Sequence, residues 1–493
     1  MAFLINSTLM VIHMFQHKFW PCFLFLIASK MLLAQTQVVW SDSLVVTSTN
    51  LPVTAPRIAF LPNGAPIISW GTSSNNNSQI WCAALENGSF NPAVAVVQAP
   101  NQPVLFGFGG YDMAVFEEEI HIVYEQLQSG IWYAKSTDGG LTFGPGVLVQ
   151  GPVTGGFATI ASIATDGLGN PIISYIRDKN GAVYEVRQSA DGGSSFGDPV
   201  IANLPAPGGE VCECCSSDLL VSGDSVWIVF RNNNQNLRDI WVSRSTNHAA
   251  SFDLATDVDE TDWQINTCPI SGPRMTRSGD SIATVWMSQA TGLAKVYAST
   301  LHAGAMSSGN QVAFPTSLGN LVNQTFPDIT ASGDTIGVVF LEKAKEVVFF
   351  HSVNGITGLE QAEQRFAVPN HTLQWPTIAF RNGVFHLAYA DAAADKIFYR
   401  TGVLTAATAV STPALDHTIK VFPNPATGGR FQVYSADIDM ERVSIFNHLG
   451  QLVYAWNGLS NRLEVALHHS MPGLYNIQIS SVQGHFYRSV ILD

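Results

Sequence analysis

Short apolar runs recur along the chain in a fixed order, and this order predicts a repeated β-structure. Each repeat begins with a small or charged residue followed directly by a short apolar stretch, which we call the apolar step. We interpret this segment as the inner strand of the repeat, strand A. The residues before this step are Arg57, Asp112, Ser162, Asp218, Arg274, Asp328 and Thr377. A longer apolar run, strand B, follows and ends near an aromatic residue. These aromatic residues are Trp70, Tyr124, Tyr175, Phe230, Trp286, Phe340 and Tyr389.

The pattern gives seven repeats, each completed by strands C and D, but the seventh repeat stops early. It ends after residues 401–403 and lacks its fourth strand. The largely apolar residues 38–46 can supply that strand from the other end of the chain. Such a pairing closes a ring and removes two exposed sheet edges. The sequence therefore predicts an all-β fold, a seven-bladed β-propeller.

One short polar stretch marks the end of strand C in several repeats. It reads Ser-Thr-Asp-Gly-Gly-Leu-Thr-Phe at residues 136–143 and returns at residues 189–196 and, in altered form, at residues 245–252. Counting the fainter copies, it begins at Ala83, Ser136, Ser189, Ser245, Ser299 and Ser352, which are 53 to 56 residues apart. The Asp accepts hydrogen bonds from nearby amides, the glycines adopt positive φ, and the Phe folds back as an apolar plug. The stretch therefore predicts a hairpin turn.

This stretch resembles the Asp box, or BNR repeat, of sialidase-like β-propellers. The resemblance implies a propeller fold, and because sialidases have six blades, a six-bladed ring is the alternative to seven. In that family the boxes lie on the face away from the active site. The copies here are therefore expected to be structural turns.

Composition narrows the class of partner. The chain has 493 residues, 13% of them charged, and a formal net charge of −14. A weakly charged, acidic chain argues against a nucleic-acid partner. Its length suggests two or three structural units.

The N-terminus has the features of a signal peptide. Lys18 precedes an apolar run over residues 19–28, and Lys30 interrupts the continuation. Cleavage after Ala34 would remove residues 1–34. No other segment has 18 uninterrupted apolar residues, so we expect an exported chain with no transmembrane segment after cleavage.

The pattern changes after a linker rich in Ala, Thr and Pro, at residues 405–417, which follows the predicted propeller of residues 35–404. Residues 418–493 alternate between apolar strands and Pro/Gly turns, as a small β-sandwich does. Three marks, Pro423-Asn424-Pro425, the Asn447 to Gln451 turn and the Pro472 to Tyr475 turn, resemble the type A sorting domain of the Bacteroidetes type IX secretion system. The resemblance implies the type IX machinery as a partner and a final location outside the cell or on the outer-membrane surface.

Charged residues recur where the strands of a propeller open onto one face. The strand A set is Arg57, Asp112, Asp218, Arg274 and Asp328. The set after strand B is Glu125, Arg177, Asp178, Arg231, Asn232, Glu342 and Asp391. A concave mouth with Arg and Asp suits a small polar ligand that carries a carboxylate, such as an acidic sugar of a glycan. The competing interpretation is a set of salt bridges between blades.

The sialidase resemblance implies three arginines that bind a sialic carboxylate, an Asp that acts as acid, and a Tyr nucleophile. Arg57, Arg231 and Arg274 fall in the blades expected for the arginines, and Asp218 and Asp328 complete the predicted ligand-binding set. Asp112 is the candidate acid. Tyr111, beside it, is a stand-in nucleophile without support from the family, because the expected blade reads Thr-Phe-Pro-Asp at residues 325–328 and contains no Tyr.

Four cysteines are grouped in the sequence: Cys212, Cys214, Cys215 and Cys268. They enter adjacent inner strands, so we predict a disulfide between Cys268 and one of the other three. A soft-metal site for Zn or Cu(I) is the alternative, since thiolates suit these ions. We predict no cofactor and no metal.

Two functions from different classes remain open. One is an exo-glycosidase of the sialidase type, and the other is a non-catalytic propeller that binds glycans or proteins at the cell surface. A Tyr–Glu pair facing the arginines would favour the first, and a mouth lined only by Arg and Asp would favour the second.

Overall fold

The predicted strands A and B are present in all seven repeats of the structure, which is a computed structural model. It describes residues 36–74, 77–107, 109–318, 321–361, 363–406, 419–436, 438–447, 451–467, 471–481 and 484–493. The predicted signal peptide, and the linker from residue 407 onward, lie outside these ranges. Residues 36–406 form one compact unit, and the residues described from 419 onward belong to a second.

The first unit contains seven antiparallel sheets in its described residues, one for each repeat. Sheet 1 contains Val53–Phe60, Pro66–Thr72, Gln79–Glu86, Ser89–Phe90 and Val94–Ala95. Sheet 2 contains Tyr111–Phe116, Glu119–Gln126, Gly130–Ser136 and Val147–Gln150. Sheet 3 contains Phe157–Thr165, Pro171–Asp178, Ala182–Gln188 and Val200–Ile201. Sheet 4 contains Glu210–Val211, Asp218–Ser222, Ser225–Asn233, Ile240–Ser245 and Leu254–Asp257.

The remaining sheets continue the same order. Sheet 5 contains Arg274–Ser278, Ser281–Ser288, Lys295–His302 and Val312–Ala313. Sheet 6 contains Gln324–Ser332, Thr335–Glu342, Glu346–Ser352 and Gln364–Phe366, with a 3₁₀ helix at Ile356–Gln361. Sheet 7 contains Leu373–Arg381, Val384–Asp391 and Lys396–Ala406, joined by Thr36–Trp40 and Leu44–Ser48 from the start of the unit.

The inner strands contact one another in series, and the inner strand of sheet 7 contacts that of sheet 1. The ring is therefore closed, and the predicted β-propeller fold is confirmed. The N-terminal segment completes sheet 7 as predicted, because Val38 pairs with Leu404 and Leu44 pairs with Tyr399. The paired strand continues to Ala406, two residues into the segment interpreted as the linker.

Strand B is buried on both faces because a neighbouring sheet covers each face. In sheet 1, Ile67 and Ile68 are both inaccessible, and in sheet 4 the same is true of Ile228 and Phe230. Apolar clusters fill the space between consecutive sheets, as close-packed protein interiors do. This double burial explains why strand B appears in the sequence as a continuous apolar run rather than an alternating one.

The turns after strand C have a shared hydrogen-bond pattern. Asp138 Oδ1 accepts the Ser136 hydroxyl at 2.7 Å and the Thr142 amide at 2.9 Å, while Oδ2 accepts the Thr142 hydroxyl at 2.6 Å. The amide comes from four residues on rather than the two that an Asx turn would use. Asp191 makes the same three contacts in sheet 3, and Phe143 is buried as the predicted plug.

The altered copy in sheet 4 keeps this geometry with other residues. Asn247 Oδ1 accepts the Ser245 hydroxyl at 2.8 Å and the Ser251 amide at 3.0 Å. His248 and Ala249 have φ values of 54° and 61°, where the first copy has two glycines. Side chains there adopt the left-handed region at an energetic cost that glycine avoids.

The second unit is a small β-sandwich, as predicted. One sheet contains Ile419–Phe422, Arg430–Ser435 and Arg462–Ala466, and a 3₁₀ helix at Thr427–Gly429 precedes its middle strand. The other contains Leu452–Ser460, Met440–Phe446, Gly473–Ser481 and Gly484–Leu492. Both sheets contribute to one apolar core, for example Val433 from the first and Ile477 from the second. No helix in the described ranges of either unit has the length and apolar character that a membrane crossing requires.

Candidate functional site

A polar cavity of about 270 Å³ lies among the inner strands of the propeller. All five predicted strand A residues line it: Arg57, Asp112, Asp218, Arg274 and Asp328. Each occupies the same position in its sheet, directly before the apolar step. Because strands A surround the centre of the ring, equivalent positions converge there.

The three aspartates each join two neighbouring sheets. Asp112 accepts the amide of Ile163 at 3.3 Å, Asp218 accepts that of Met275 at 2.9 Å, and Asp328 accepts that of Ile378 at 2.9 Å. In every case the amide belongs to the apolar residue of the next inner strand. The carboxylates therefore also have a structural role between sheets, which the competing interpretation of the sequence anticipated.

The two arginines of the cavity differ in how firmly they are held. Arg57 donates from Nε to Asp112 Oδ1 at 3.0 Å and from Nη1 to the Pro56 carbonyl at 3.1 Å. The Nη1 atom of Arg274 lies 3.8 Å from Asp218 Oδ1, and the guanidinium makes no hydrogen bond to any described residue. About a sixth of the Arg274 side chain is exposed to the cavity. Arg274 therefore has donors available to a ligand.

The cavity shifts the proton affinity of two of its groups. Burial raises the pKa of Asp218 to about 6, and the negative charges of Asp112 and Asp328 act in the same direction, against Arg274. Burial lowers the pKa of Arg274, but the carboxylates of Asp218, Asp112 and Asp328 outweigh it and raise that pKa above its ordinary value. Asp218 can therefore change its charge near neutral pH.

An apolar rim, which was not predicted from the sequence, borders the charged groups. Ile270, Phe326 and Trp375 line the cavity, with left-handed φ values of 56°, 52° and 46°. At Phe326 and Trp375 the register of strand A shifts, so these bulges redirect the side chains. The sequence signal for these bulges is an aromatic residue followed by Pro immediately before the first strand A residue of the repeat, at residues 326–327 and 375–376.

Arg231 does not reach the cavity. Its side chain is fully buried, and it donates to the carbonyls of Arg238 at 2.8 Å and Met287 at 2.5 Å. Its guanidinium also lies over the Trp263 ring, 5.1 Å from the centroid. The prediction that three arginines converge is therefore corrected to two, because the side chain of Arg231 is enclosed in the protein and both of its Nη atoms donate to backbone carbonyls there.

Tyr111 is also unsuited to the role suggested for it. Its ring is buried, its hydroxyl donates to the Ala55 carbonyl at 2.6 Å, and burial raises its pKa far above the ordinary value. It does not line the main cavity. Asp112, the candidate acid, does line the cavity, but its carboxylate is paired with Arg57 at 3.0 Å.

The residues after strand B do not line the cavity either. They mainly pair with neighbouring groups instead. Glu125 accepts the Thr159 hydroxyl at 2.5 Å, Arg177 pairs with Glu185 at 2.7 Å, and Glu342 pairs with Arg365 at 2.5 Å. Their partners lie in the same or the neighbouring sheet, which the sequence position alone did not reveal.

The four grouped cysteines form two disulfides, Cys212–Cys215 and Cys214–Cys268. The second bond agrees with the predicted link to Cys268. It joins the loops that lead to Asp218 and Arg274, and these loops also carry Ser216 and Ile270 into the cavity wall. Among the described residues, Cys82 is a buried cysteine outside any disulfide.

Residues 420–493 match the family model of the secretion system C-terminal sorting domain. The C-terminal unit is a sorting domain. The match confirms the type IX sorting domain predicted from the sequence and indicates export to the cell surface or the medium. The sorting domain spans only the end of the chain, and it assigns no activity to the propeller.

No curated protein matches the chain. Among solved structures, a protein of unknown function from Dyadobacter fermentans has 10% identity and a TM-score of 0.44, covering 75% of this chain and 99% of its own. An α-L-arabinanase from Penicillium chrysogenum, complexed with arabinobiose, has 10% identity and a TM-score of 0.43, with coverages of 74% and 98%. An ulvan lyase of polysaccharide lyase family PL25 has 10% identity and a TM-score of 0.48, with coverages of 75% and 96%. Such values are too low to transfer an activity to this chain.

Proposed function

We propose that the exported propeller binds a glycan in its central cavity, through a sugar that carries a carboxylate. The observation that supports this proposal is the state of Arg274. Its guanidinium faces the cavity, lies 3.8 Å from its nearest acid and makes no hydrogen bond to a described residue. A sugar carboxylate would accept charge-assisted hydrogen bonds from the N–H groups of this guanidinium.

The carboxylates of the cavity do not prevent such a ligand from binding. Asp112 is neutralised by Arg57, and Asp328 accepts the Thr377 hydroxyl at 2.8 Å together with two backbone amides. Asp218 is the acid that shares Arg274, and burial raises its pKa to about 6, so it can take up a proton near neutral pH. We therefore expect the ligand to bind with uptake of a proton by Asp218.

The apolar rim suits the rest of the sugar. Phe326 and Trp375 belong to sheets 6 and 7, whereas Arg274 and Asp218 belong to sheets 5 and 4. We call the wall at sheets 6 and 7 the aromatic side, although it also carries Asp328. Binding sites for small molecules commonly combine an apolar wall with a few polar groups that fix orientation. A pyranose ring would lie on the aromatic side and direct its carboxylate to Arg274.

Hydrolysis of the bound glycan is a second candidate function, favoured by the raised pKa of Asp218 beside two further carboxylates. A carboxyl group of this kind can act as a general acid near neutral pH. The sialidase type of hydrolysis has less support, because no Tyr is among the described residues that line the cavity. If the protein is a hydrolase, we expect Asp218 to be the acid and another carboxylate to replace the Tyr nucleophile.

The test is a glycan array with the exported protein, followed by calorimetric titration of the best ligand with Arg274→Ala. We expect the variant to lose binding by about a hundredfold, since a charge-assisted pair is removed. The matched control is Arg277→Ala, three residues along the same strand, whose Nε donates to Gly279 outside the cavity. Equal affinities of wild type and Arg274→Ala would contradict the proposal.

A second arm tests the aromatic side and the catalytic alternative. Trp375→Ala should weaken binding about three- to tenfold, whereas Trp132→Ala, a half-buried tryptophan of sheet 2, should not. Fluorogenic sialosides and uronides test hydrolysis with the same preparations. Turnover that disappears in Asp218→Asn would establish hydrolysis as the function. Binding without turnover would support glycan binding alone.

A further inference from the structure

Four sulfur atoms meet at one point beside the cavity. Cys212, Cys214 and Cys215 come from the loop that enters the inner strand of sheet 4, and Cys268 comes from the loop that enters sheet 5. Their four Sγ atoms all lie within 4.8 Å of one another. Cys212 and Cys215 are fully buried, and the other two are half-buried. We call this group the four-sulfur cluster.

The compactness of the cluster exceeds what crosslinking requires. A link between the two loops needs one sulfur from each, and a second disulfide has no need to share the same space. A metal ion with four thiolates at about 2.3 Å holds its sulfurs roughly 3.8 Å apart. Cys212 Sγ and Cys214 Sγ, which belong to different disulfides, are 4.0 Å apart. Two sulfurs of different disulfides thus already lie near the spacing of a tetrahedral thiolate site, and all four lie within 4.8 Å of one another.

We propose that the four-sulfur cluster, in its reduced form, binds one thiophilic cation, Zn²⁺ or Cu⁺. Thiolates are the soft ligands that select these ions, and four of them complete a closed structural site. Binding displaces the protons of the thiols and changes no oxidation state. The site is separate from the glycan cavity and does not depend on the function proposed for that cavity.

The surroundings of the cluster suit a buried, closed site. Glu213 lies between Cys212 and Cys214 and pairs at 2.9 Å with the buried Arg238. The guanidinium of Arg238 therefore offsets part of the negative charge of this loop. The Cys212 amide donates to the Arg231 carbonyl, and the Cys215 carbonyl accepts the Tyr184 hydroxyl. These contacts hold the loop in place independently of the sulfurs. The metal would therefore find the ligands already positioned, and it would join the same two loops as the Cys214–Cys268 bond.

The experiment uses the full exported chain, purified anaerobically with a reductant and titrated separately with Zn²⁺ and Co²⁺. We expect one ion per chain and, with Co²⁺, the thiolate-to-metal charge-transfer absorption of a tetrahedral tetrathiolate. Cys268→Ser and, independently, Cys214→Ser should lower the affinity for the ion by about tenfold or more. Cys82→Ala, which removes the buried cysteine outside the cluster, should leave binding unchanged. Circular dichroism, recorded in parallel, monitors the fold.

Two results would overturn the proposal. One is a folded, reduced chain that binds no ion, or binds it equally well in Cys268→Ser and Cys214→Ser. The other is a chain that unfolds on reduction and does not recover its fold with Zn²⁺ or Cu⁺, because the cluster would then act only as disulfides.

Discussion

Asp218 and Arg274 occupy the same position on neighbouring inner strands, yet their nearest charged atoms are 3.8 Å apart, whereas the equivalent Asp112 and Arg57 are joined at 3.0 Å. Both aspartates accept an amide of the next sheet, but Arg274 comes from that same next sheet, whereas Arg57 comes from the sheet that precedes Asp112. Arg57 is held by two partners, while Arg274 remains available, and this pair is where ligand binding and proton uptake are expected to be coupled.

The first prediction concerns the dependence of stability on pH. The pKa of Asp218 rises from 3.8 in the unfolded chain to about 6 in the folded protein. The folded state therefore holds this proton more tightly, and the carboxyl lowers the free energy of unfolding as pH rises from about 4 to about 7, by roughly 2–3 kcal/mol. Asp218→Asn should make the decline smaller by this amount and not abolish it, because burial also raises the pKa of Asp239 to about 6 and that of Asp257 to about 7. Urea denaturation at pH 4 and pH 7 measures it, and an identical decline in wild type and variant would contradict the assignment.

The second prediction separates the buried arginine from the cavity arginine. Arg231→Met leaves the carbonyls of Arg238 and Met287 without their donor and should cost about 3–5 kcal/mol, as loss of one partner of a buried charged network does. Arg274→Ala removes no hydrogen bond to a described residue, although it removes the positive charge that faces Asp218, Asp112 and Asp328, so it should destabilise the protein clearly less than Arg231→Met does. Chemical denaturation of both variants provides the comparison. A large destabilisation in Arg274→Ala, with ligand binding intact, would favour a purely structural role.

The third prediction concerns the turn at residues 136–143. Asp138→Ala removes three hydrogen bonds, two exposed to solvent and one partly buried, and should destabilise the propeller by about 1 kcal/mol. Asp138→Asn should lie between wild type and Asp138→Ala, because Asn247 supports the same turn in sheet 4. Thermal unfolding ranks the three proteins. If Asn is as damaging as Ala, the negative charge rather than the geometry of the acceptor maintains the turn.

The fourth prediction concerns sorting. Deletion of residues 418–493 should leave the propeller folded but confined to the periplasm, since these residues include the whole match to the sorting domain. Cell fractionation locates the protein, and circular dichroism of the periplasmic fraction reports its fold. Normal appearance of the truncated protein in the medium would show that export does not depend on this domain.

The strands and the closure of the ring could be predicted from the sequence because burial on both faces leaves a strong signal. Runs such as residues 66–72 and 225–230 are largely apolar, and their spacing repeats. The five strand A residues were predicted for the same reason, since each precedes an apolar step.

The direction of individual side chains could not be predicted in the same way. Arg231 follows Phe230 at the end of strand B, and its side chain is enclosed between sheets, where Met287 of sheet 5 and Arg238 supply its acceptors. These acceptors lie elsewhere in the sequence, so the apolar pattern of strand B does not reveal them. The rim residues Phe326 and Trp375 depend on left-handed bulges, which the sequence suggests only through the following Pro. The pairing of the cysteines required three-dimensional proximity as well.

The pairing of Gln37 with Thr405, whose hydroxyl donates to the Gln37 carbonyl across 368 residues, has a kinetic consequence. Contacts between such distant residues carry the largest entropy of loop closure, and folding slows as they dominate. Sheets 1 to 6 are built from consecutive segments and can assemble as the chain becomes available. Sheet 7 has to wait until its last strand meets a segment made hundreds of residues earlier, so the join between the two ends of the ring is expected to be the final step of folding.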